Sequence, residues 1–279
     1  MTTQQLWIAL HAVERDAAHP IRETRAAVAL RLPWVVRPSS RESPYGNVSP
    51  LLVLALAGTW VWRDRPTRIG TVLGLAIAGK LLLWPLLIWL LITRRLWAAA
   101  ASVATAALVS LIGWAAIAFD GVEGYPELLR RNASEYAEGG TSVAALVLNL
   151  GGSAGLITVI SIAAGMLAVV AAWHRRDDDL ACFSWTVATA FLVSPIVWVH
   201  YYALLLVPLA LATPHLSRAW LLPFLTTPQL TTSYSTGERA FDAATGVLLT
   251  VLTARHSSRL DSTERPVQSR ERVALEPRP

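Results

Sequence analysis

The feature that most restricts the fold of this sequence is a single lysine in the middle of an apolar segment. Lys80 is the only lysine among 24 basic residues, and it is the only charged residue within residues 69–93. An ammonium group near the centre of a bilayer costs a few kcal/mol, so such residues usually line an internal site or a water-filled cavity. The alternative is that Lys80 extends its four-carbon stem to a nearby membrane interface.

The composition predicts a membrane protein. Hydrophobic residues make up 54% of the chain and charged residues 15%. Several apolar runs approach the ~20 residues that cross ~30 Å of hydrocarbon, and tryptophans stand at their ends as in an aromatic belt. We therefore predict an all-α fold, a polytopic integral membrane helical bundle embedded in a lipid bilayer. The runs are 48–62, 69–93, 97–118, 142–173, 180–195, 199–213, 217–225 and 238–254.

Some classes of site and partner can be excluded. One cysteine, Cys182, allows neither an internal disulfide nor a cysteine-rich metal site, and we predict no metal and no cofactor. The net charge of +5 comes from basic flanks, without a basic stripe interleaved with aromatics, so nucleic acid is not a predicted partner. The residues from Gly74 to Lys80 resemble a phosphate-binding loop. That motif requires a serine or threonine after the lysine, whose hydroxyl binds magnesium, and a strand before the loop. Here Leu81 follows Lys80 and no strand precedes Gly74, so we reject the motif.

The chain divides into three predicted parts. Residues 1–46 carry six arginines and no apolar run long enough to span, so we predict a non-membrane N-terminal segment. Residues 47–254 are predicted to form a multi-span transmembrane domain with an outer loop at 119–141. Residues 255–279 are polar with six arginines and are predicted to be a disordered cytoplasmic tail.

Arginines in short loops predict the topology, because such loops are usually cytoplasmic. These loops contain Arg63, Arg65 and Arg68, then Arg94 and Arg95, then Arg175 and Arg176. Residues 119–141 and 194–201 are predicted to face outward.

Both ends of segment 69–93 are then cytoplasmic, so it cannot cross the membrane once. We predict a hairpin of two half-helices that turns near Gly79-Lys80, with Pro85 interrupting the second half. Broken backbone at membrane depth is tolerated where protein or water satisfies it. The alternative is a single tilted span with one arginine loop assigned to the wrong side.

The outer loop contains a helical pattern that Pro126 opens and Gly139-Gly140 closes. Glu127 with Arg131, and Arg131 with Glu135, are spaced for i,i+4 pairing. We predict an amphipathic helix on the outer membrane surface. In one interpretation it is a solvated structural lid; in the other, Arg130 or Arg131 contacts a lipid-linked phosphate.

A third informative stretch is residues 191–208, FLVSPIVWVHYYALLLVP. Ser194-Pro195 interrupts the apolar run, and Trp198, His200 and Tyr201 follow where the chain re-enters the membrane. The aromatics suit sugar stacking, and a neutral imidazole binds a hydroxyl or a phosphate oxygen. Aromatic residues at an interface also occur without any function, so both interpretations remain open at this point.

Five motifs follow one another along the chain. They are Gly46-Asn47-Val48-Ser49, Ala78-Gly79-Lys80 with Pro85, Arg94-Arg95-Leu96-Trp97, Asp120-Gly121 with Tyr125-Pro126, and Ser194-Pro195-Ile196-Val197-Trp198-Val199-His200-Tyr201. In their order and spacing these motifs resemble those of glycosyltransferase family 87, polytopic enzymes of the GT-C superfamily. The resemblance covers roughly residues 46 to 255.

The resemblance implies a multi-pass enzyme of the bacterial plasma membrane. It would transfer a hexose, typically mannose, from a polyprenyl-phosphate donor to a glycolipid or glycan acceptor outside the cytoplasm. Such transfer needs a carboxylate to take the acceptor's proton, and groups that stabilise charge on the departing phosphate. The substrate-binding candidates are Lys80, His200, Asn47, Trp198, Tyr201, Arg130 and Arg131. A lipid or sugar transporter and a noncatalytic membrane partner are the alternative functions.

The chain departs from the superfamily pattern at its beginning. Members of this kind carry a catalytic acid in the first extracytoplasmic loop, after an initial transmembrane helix, whereas no apolar span precedes residue 48. Asp16 is not a credible substitute, so no catalytic residue is assigned. We expect an N-terminally incomplete member of the family, from a truncated reading frame or a decayed copy, and both an active transferase and an inactive remnant remain open at this point.

Overall fold

The computed structural model describes residues 49–137, 140–213 and 235–274. All regular structure in these ranges is helical, which confirms the all-α prediction. Asn47 and the apolar run 217–225 lie outside the described residues. The α-helices are α1 (Ser49–Val61), α2 (Pro66–Gly79), α3 (Leu86–Ile92), α4 (Leu96–Ala116), α5 (Tyr125–Ala137), α6 (Val143–Asn149), α7 (Ala154–His174), α8 (Asp179–Val193), α9 (Leu206–Ala212) and α10 (Thr236–Ala274), with 3₁₀ helices at Leu81–Leu83 and Val199–Leu205.

The break predicted within segment 69–93 is confirmed. Helix α2 ends at Gly79, and Lys80 has an extended backbone (φ −160°, ψ 117°). A short 3₁₀ helix follows, and Pro85 then precedes α3. Lys80 is therefore the hinge between two helices, rather than an interior residue of one.

Both ends of this broken segment lie at the same end of the bundle. Four residues, Arg63, Asp64, Arg95 and Asp179, form what we call the arginine cluster. The two terminal nitrogens of Arg95 each donate to a different oxygen of Asp179 at 2.8 Å. Arg63 Nε lies 3.6 Å from Asp179 Oδ2, and Arg95 Nη2 lies 3.5 Å from Asp64 Oδ1. Since these residues flank α1, α3 and α8, the segment folds back as a hairpin, and the alternative of a single tilted span is wrong.

Helices α2 and α4 approach each other closely through two glycines one turn apart. A Cβ atom on Gly70 would collide with the Cβ of Ala101, and one on Gly74 would lie 2.6 Å from the carbonyl oxygen of Ser102. Small residues spaced by four allow helix backbones to pack at short range inside a membrane. This contact fixes the hairpin arm that carries Lys80 against a long membrane helix.

We expect Gly74→Val to disturb this packing and Gly113→Val to leave it intact. A valine at Gly74 meets helix backbone, and overpacking of this kind costs about 1–3 kcal/mol. Gly113 lies on α4, and a Cβ atom there would meet no other atom within 4 Å, so it is a control for the helix propensity of valine. The measurement is the unfolding midpoint of each variant in detergent micelles. Equal shifts at the two positions would contradict the close α2–α4 packing.

Helices α4 and α7 are long and apolar enough to cross a membrane. Only 17% of the apolar window of α4 and 11% of that of α7 are buried inside the protein. Most of their surface is therefore available to lipid. Helix α7 turns back into α8 through residues 175–178, and the Asp178 carboxylate caps α8 by accepting from the backbone amide of Ala181 at 2.9 Å.

The predicted apolar run 142–173 is two helices in the structure. Helix α6 ends at Asn149, and Gly151 adopts a positive φ of 79° that favours glycine. Ser153 then starts α7 by accepting a hydrogen bond from the amide of Leu156. The apolar character of the run hides this break, which its Gly-Gly-Ser sequence specifies.

Helix α10 begins at Thr236 and continues past Arg255 to Ala274. The predicted division of the chain into three parts, at residues 46 and 254, stays a prediction.

Candidate functional site

Lys80 contacts the segment that re-enters the membrane far along the chain. Its Nζ lies 4.0 Å from the centroid of the Tyr201 ring, in a cation–π arrangement. Tyr201 is itself buried, with 3% of its surface exposed. The ammonium group is therefore held against a fixed aromatic wall at the hinge of the hairpin.

His200 joins the same group of side chains. Its ring lies 4.5 Å from that of Tyr201, measured between centroids, with the two planes perpendicular. Tyr201 thus contacts both Lys80 and His200. Three of the residues predicted to bind substrate are brought together, although they come from two distant parts of the chain. We call Lys80, His200 and Tyr201 the hinge triad.

The backbone around His200 is positioned by the outer loop. Thr141 donates its backbone amide to the carbonyl of Val197 at 2.7 Å, and Ser142 Oγ donates to the carbonyl of Pro195 at 2.7 Å. Pro195 has no amide hydrogen. Its carbonyl accepts the hydrogen bond from the Ser142 side chain instead of one from a helix backbone amide. The two stretches predicted to face outward, 119–141 and 194–201, therefore meet at one place.

Trp198 lies next to the hinge triad in sequence and contacts the outer-loop helix α5. Its ring centroid is 6.4 Å from that of Tyr136, in an edge-on arrangement. Helix α5 therefore touches the segment that leads into His200.

Arg130 and Arg131 are not placed at Lys80. The Arg130 side chain is 75% exposed and pairs with Glu127 at 2.9 Å, and the Arg131 side chain is 69% exposed and pairs with Glu135 at 3.4 Å. The predicted helix and the Arg131–Glu135 pair are confirmed. Glu127 forms an i,i+3 pair with Arg130. Both arginines lie on an exposed helix, where such pairs contribute little to stability.

A largely apolar cleft lies behind the hinge triad, between α8, α10 and the 3₁₀ helix that carries His200. Its empty volume is about 380 Å³, including the space at its open side. Tyr202, the residue after Tyr201, forms part of its wall. The lining residues are Thr141, Val143, Ala188, Phe191, Leu192, Val197, Tyr202, Leu205, Ala243, Gly246, Val247 and Thr250.

The sequence model of glycosyltransferase family 87 matches residues 4–195, which is most of the chain. The chain belongs to glycosyltransferase family 87. No curated protein and no solved structure gives a significant match. Together with the apolar helices α4 and α7, membership identifies a membrane glycosyltransferase that acts on a sugar donor and an acceptor.

The family match covers only part of the candidate site of this glycosyltransferase. The match includes Lys80 and the outer-loop helix, and it also covers residues 4–46, which the sequence motifs leave out. It ends at Pro195, before Trp198, His200 and Tyr201. The contact between Lys80 and Tyr201 therefore links a matched segment of the glycosyltransferase to one beyond the match.

Two acidic residues of this glycosyltransferase lie in places that their sequence context did not predict. Asp179 holds the arginine cluster together, and Asp242 is buried on α10 with 4% of its surface exposed. Asp179 gives no local signal, because it looks like one of three successive aspartates in a polar turn. Asp242 does carry a signal, since it lies within the apolar run 238–254. Within the described ranges, no group of three or more His, Cys, Asp or Glu residues is arranged to hold a metal ion.

Proposed function

We propose that this glycosyltransferase transfers a hexose, mannose in the first instance, from a polyprenyl-phosphate donor to a glycolipid or glycan acceptor. The reaction takes place at the outer side of a bacterial plasma membrane. The observation that carries the proposal is the contact of Lys80 with Tyr201 beside His200, at a break in an apolar segment. A lipid-linked donor delivers its phosphate at membrane depth, where Lys80 offers the only lysine charge of the chain.

In this proposal Lys80 binds the phosphate that leaves with the lipid. Charge builds on that phosphate as the bond to the sugar breaks, and a fixed cation in a site with little water stabilises it strongly. The Tyr201 ring restrains the ammonium, so less reorganisation is needed when charge develops. His200 hydrogen-bonds to a phosphate oxygen or a sugar hydroxyl, and Trp198 offers a ring for the sugar to stack on.

The position of Lys80 along the hairpin favours chemistry at the outer side. Helix α2 has 14 residues. At 1.5 Å per residue it places Lys80 about 21 Å from the arginine cluster. In a hydrocarbon core of ~30 Å, that is closer to the far interface than to the end where the arginines lie. If the arginine loops are cytoplasmic, as predicted, the triad is accessible from outside.

The direct test compares donors in membranes that contain the chain. Radiolabelled polyprenyl-phosphate mannose is supplied to one sample and the corresponding nucleotide sugar to the other, with label in the glycolipid and glycan fractions as the readout. We expect label from the lipid-linked donor alone. Transfer from the nucleotide sugar in membranes that cannot make the lipid-linked donor would overturn the proposal. Polyprenyl-phosphate glucose in a third sample tests the choice of mannose.

We expect His200→Ala to reduce transfer at least tenfold while the amount of protein in the membrane stays the same. The change removes the imidazole from the hinge triad and leaves Tyr201 and Lys80 in place. His174→Ala is the matched control, because His174 is the last residue of α7 and its side chain is exposed. If His200→Ala transfers sugar as well as His174→Ala does, His200 has a structural role only.

A further inference from the structure

Three exposed arginines surround the place where α2 and α4 begin, and neither the fold nor the proposed function uses them. Arg65 directly precedes α2, Arg68 lies in its first turn, and Arg94 lies two residues before the start of α4. We call these three residues the basic patch. Within the described ranges, no ion pair engages their side chains, because the nearby carboxylates of the arginine cluster pair with Arg63 and Arg95.

The two helices start side by side, so the three arginines belong to one surface. Asp64 and Arg95, the chain neighbours of two patch residues, lie 3.5 Å apart between Oδ1 and Nη2. From there α2 and α4 run parallel, since the close approaches at Gly70 and Gly74 advance in the same direction along both helices. The starts of α2 and α4 are therefore at the same level of the bundle.

The length of α4 fixes the depth of the basic patch in the membrane. Helix α4 has 21 residues, about 31 Å at 1.5 Å per residue, which matches a hydrocarbon core of ~30 Å. Its first residue, Leu96, therefore lies at the hydrocarbon boundary, and Arg94 lies in the layer of lipid headgroups. Trp97 agrees with this depth, since it is 82% exposed and tryptophan favours the membrane interface. Because α2 begins at the same level, Arg65 and Arg68 lie in the headgroup layer too.

Arg94 occupies a backbone position that favours glycine. Its φ is 59°, in the left-handed region, where a Cβ atom is unfavourable. At the end of α3 the amide of Arg94 donates to the carbonyl of Leu91 at 3.1 Å, and the amide of Arg95 donates to that of Leu90 at 2.7 Å. Glycine is the usual residue at this place in such a helix end. Backbone stability therefore disfavours Arg94, and its exposed guanidinium is left to contact something outside the fold.

We propose that the basic patch binds the headgroup phosphate of an anionic phospholipid. A guanidinium group donates two parallel hydrogen bonds to phosphate oxygens, and arginines at the end of a membrane helix attract anionic lipids. Three like charges without a countercharge favour such a lipid over a zwitterionic one, whose headgroup carries its own cation.

Helix α4 supplies the surface for the acyl chains of the same lipid. Only 17% of its apolar window is buried inside the protein, and Leu96 is 60% exposed directly beside the patch. A lipid bound there contacts the starts of both α2 and α4, and so holds the hairpin against the long helix. The site lies at the opposite end of α2 from Lys80, and it does not depend on the proposed function.

The test measures how phosphatidylglycerol binds the full chain in mixed micelles based on phosphatidylcholine. A ligand of the folded state raises the unfolding midpoint according to its affinity, and native mass spectrometry counts the retained lipid directly. Arg94→Gly removes the guanidinium and suits the left-handed backbone. Arg65→Gln and Arg68→Gln keep the test independent of any backbone change. Arg176→Gln is the matched control, because it removes one exposed arginine from the turn between α7 and α8.

We expect each patch variant to weaken phosphatidylglycerol binding roughly fivefold, and the triple variant roughly 100-fold, as the usual contribution of an arginine near an anionic surface implies. Arg176→Gln should bind the lipid as the unmodified protein does. In phosphatidylcholine alone, Arg94→Gly should unfold at the same midpoint as the unmodified protein or a higher one, because glycine relieves the backbone strain. A gain in stability together with a loss of lipid binding separates the two roles of this position.

Three results would overturn the proposal. Equal stabilisation by phosphatidylcholine and phosphatidylglycerol would show that the patch does not select an anionic lipid. An equal loss of affinity in Arg176→Gln and in the patch variants would assign the attraction to the general charge of this end of the bundle. An equal rise of the midpoint with soluble glycerol phosphate would make the ligand a free anion instead of a lipid headgroup.

Discussion

Replacing Lys80 by methionine is expected to weaken binding of the lipid-linked donor by roughly 10- to 150-fold, because a hydrogen bond to a charged group contributes about 1.5–3 kcal/mol. Methionine keeps most of the volume of the lysine stem, removes the ammonium from the Tyr201 ring, and makes the apolar segment easier to insert. The amount of protein in the membrane should therefore stay the same or rise while binding falls. The measurement is filter binding of radiolabelled polyprenyl-phosphate mannose to protein in nanodiscs.

Two further variants isolate the effect of the charge at Lys80. Lys80→Arg should retain part of the binding, since it keeps the charge but presents a planar group of different geometry. Leu81→Met is the control for methionine at the hinge, because Leu81 is the adjacent residue and is 55% exposed; it should bind as the unmodified protein does. If Lys80→Met also binds normally, no function depends on the ammonium, and Lys80 simply extends toward an interface.

The hinge at Lys80 could be predicted because its signals are local. Gly79, Lys80 and Pro85 interrupt an apolar segment. The flanking arginines predict that both ends of this segment lie on the same side of the membrane. The structure confirms the break and the position of both ends. The outer-loop helix is likewise specified locally, by Pro126 at its start and by charges at helical spacing. The prediction of membrane character from composition is confirmed by family membership and by α4 and α7.

What the sequence could not supply are the contacts between distant segments. Nothing near Lys80 indicates that Tyr201 will lie 4.0 Å from its ammonium, although each residue is a candidate on its own local pattern. Arg130 and Arg131 are candidates because of their charge and their loop, but side-chain exposure and pairing within α5 are properties of the folded chain. The close approach of α2 to α4 has a sequence signal, two glycines four residues apart, which becomes informative only when the partner helix is known.

The arginine cluster shows the same limit and leads to a prediction about stability. The Asp179 carboxylate accepts hydrogen bonds from both terminal nitrogens of Arg95 and from the indole Nε1–H of Trp89, each at 2.8 Å. Trp89 is fully buried. The guanidinium of Arg95 also lies 5.1 Å from the centroid of the Trp89 ring. Burial alone would lower the pKa of Arg95, but hydrogen bonding and the charge of Asp179, with a smaller contribution from Asp64, raise it above its usual value. One carboxylate thus joins the start of α8 to both ends of the hairpin.

We expect Asp179→Asn to lower the free energy of unfolding by about 2–3 kcal/mol. The amide keeps the shape of the carboxylate, but it accepts with only one oxygen and leaves Arg63 and Arg95 facing each other without their shared countercharge. Asp64→Asn is the matched control in the same cluster. Asp64 is 75% exposed and lies 3.5 Å from Arg95, so its loss should cost less than about 1 kcal/mol. Denaturant titration of each variant in mixed micelles gives the two values. If both substitutions cost the same, the cluster is an ordinary surface ion pair, and the two ends of the hairpin are held together by the apolar packing of Trp60, Trp89 and Phe183 instead.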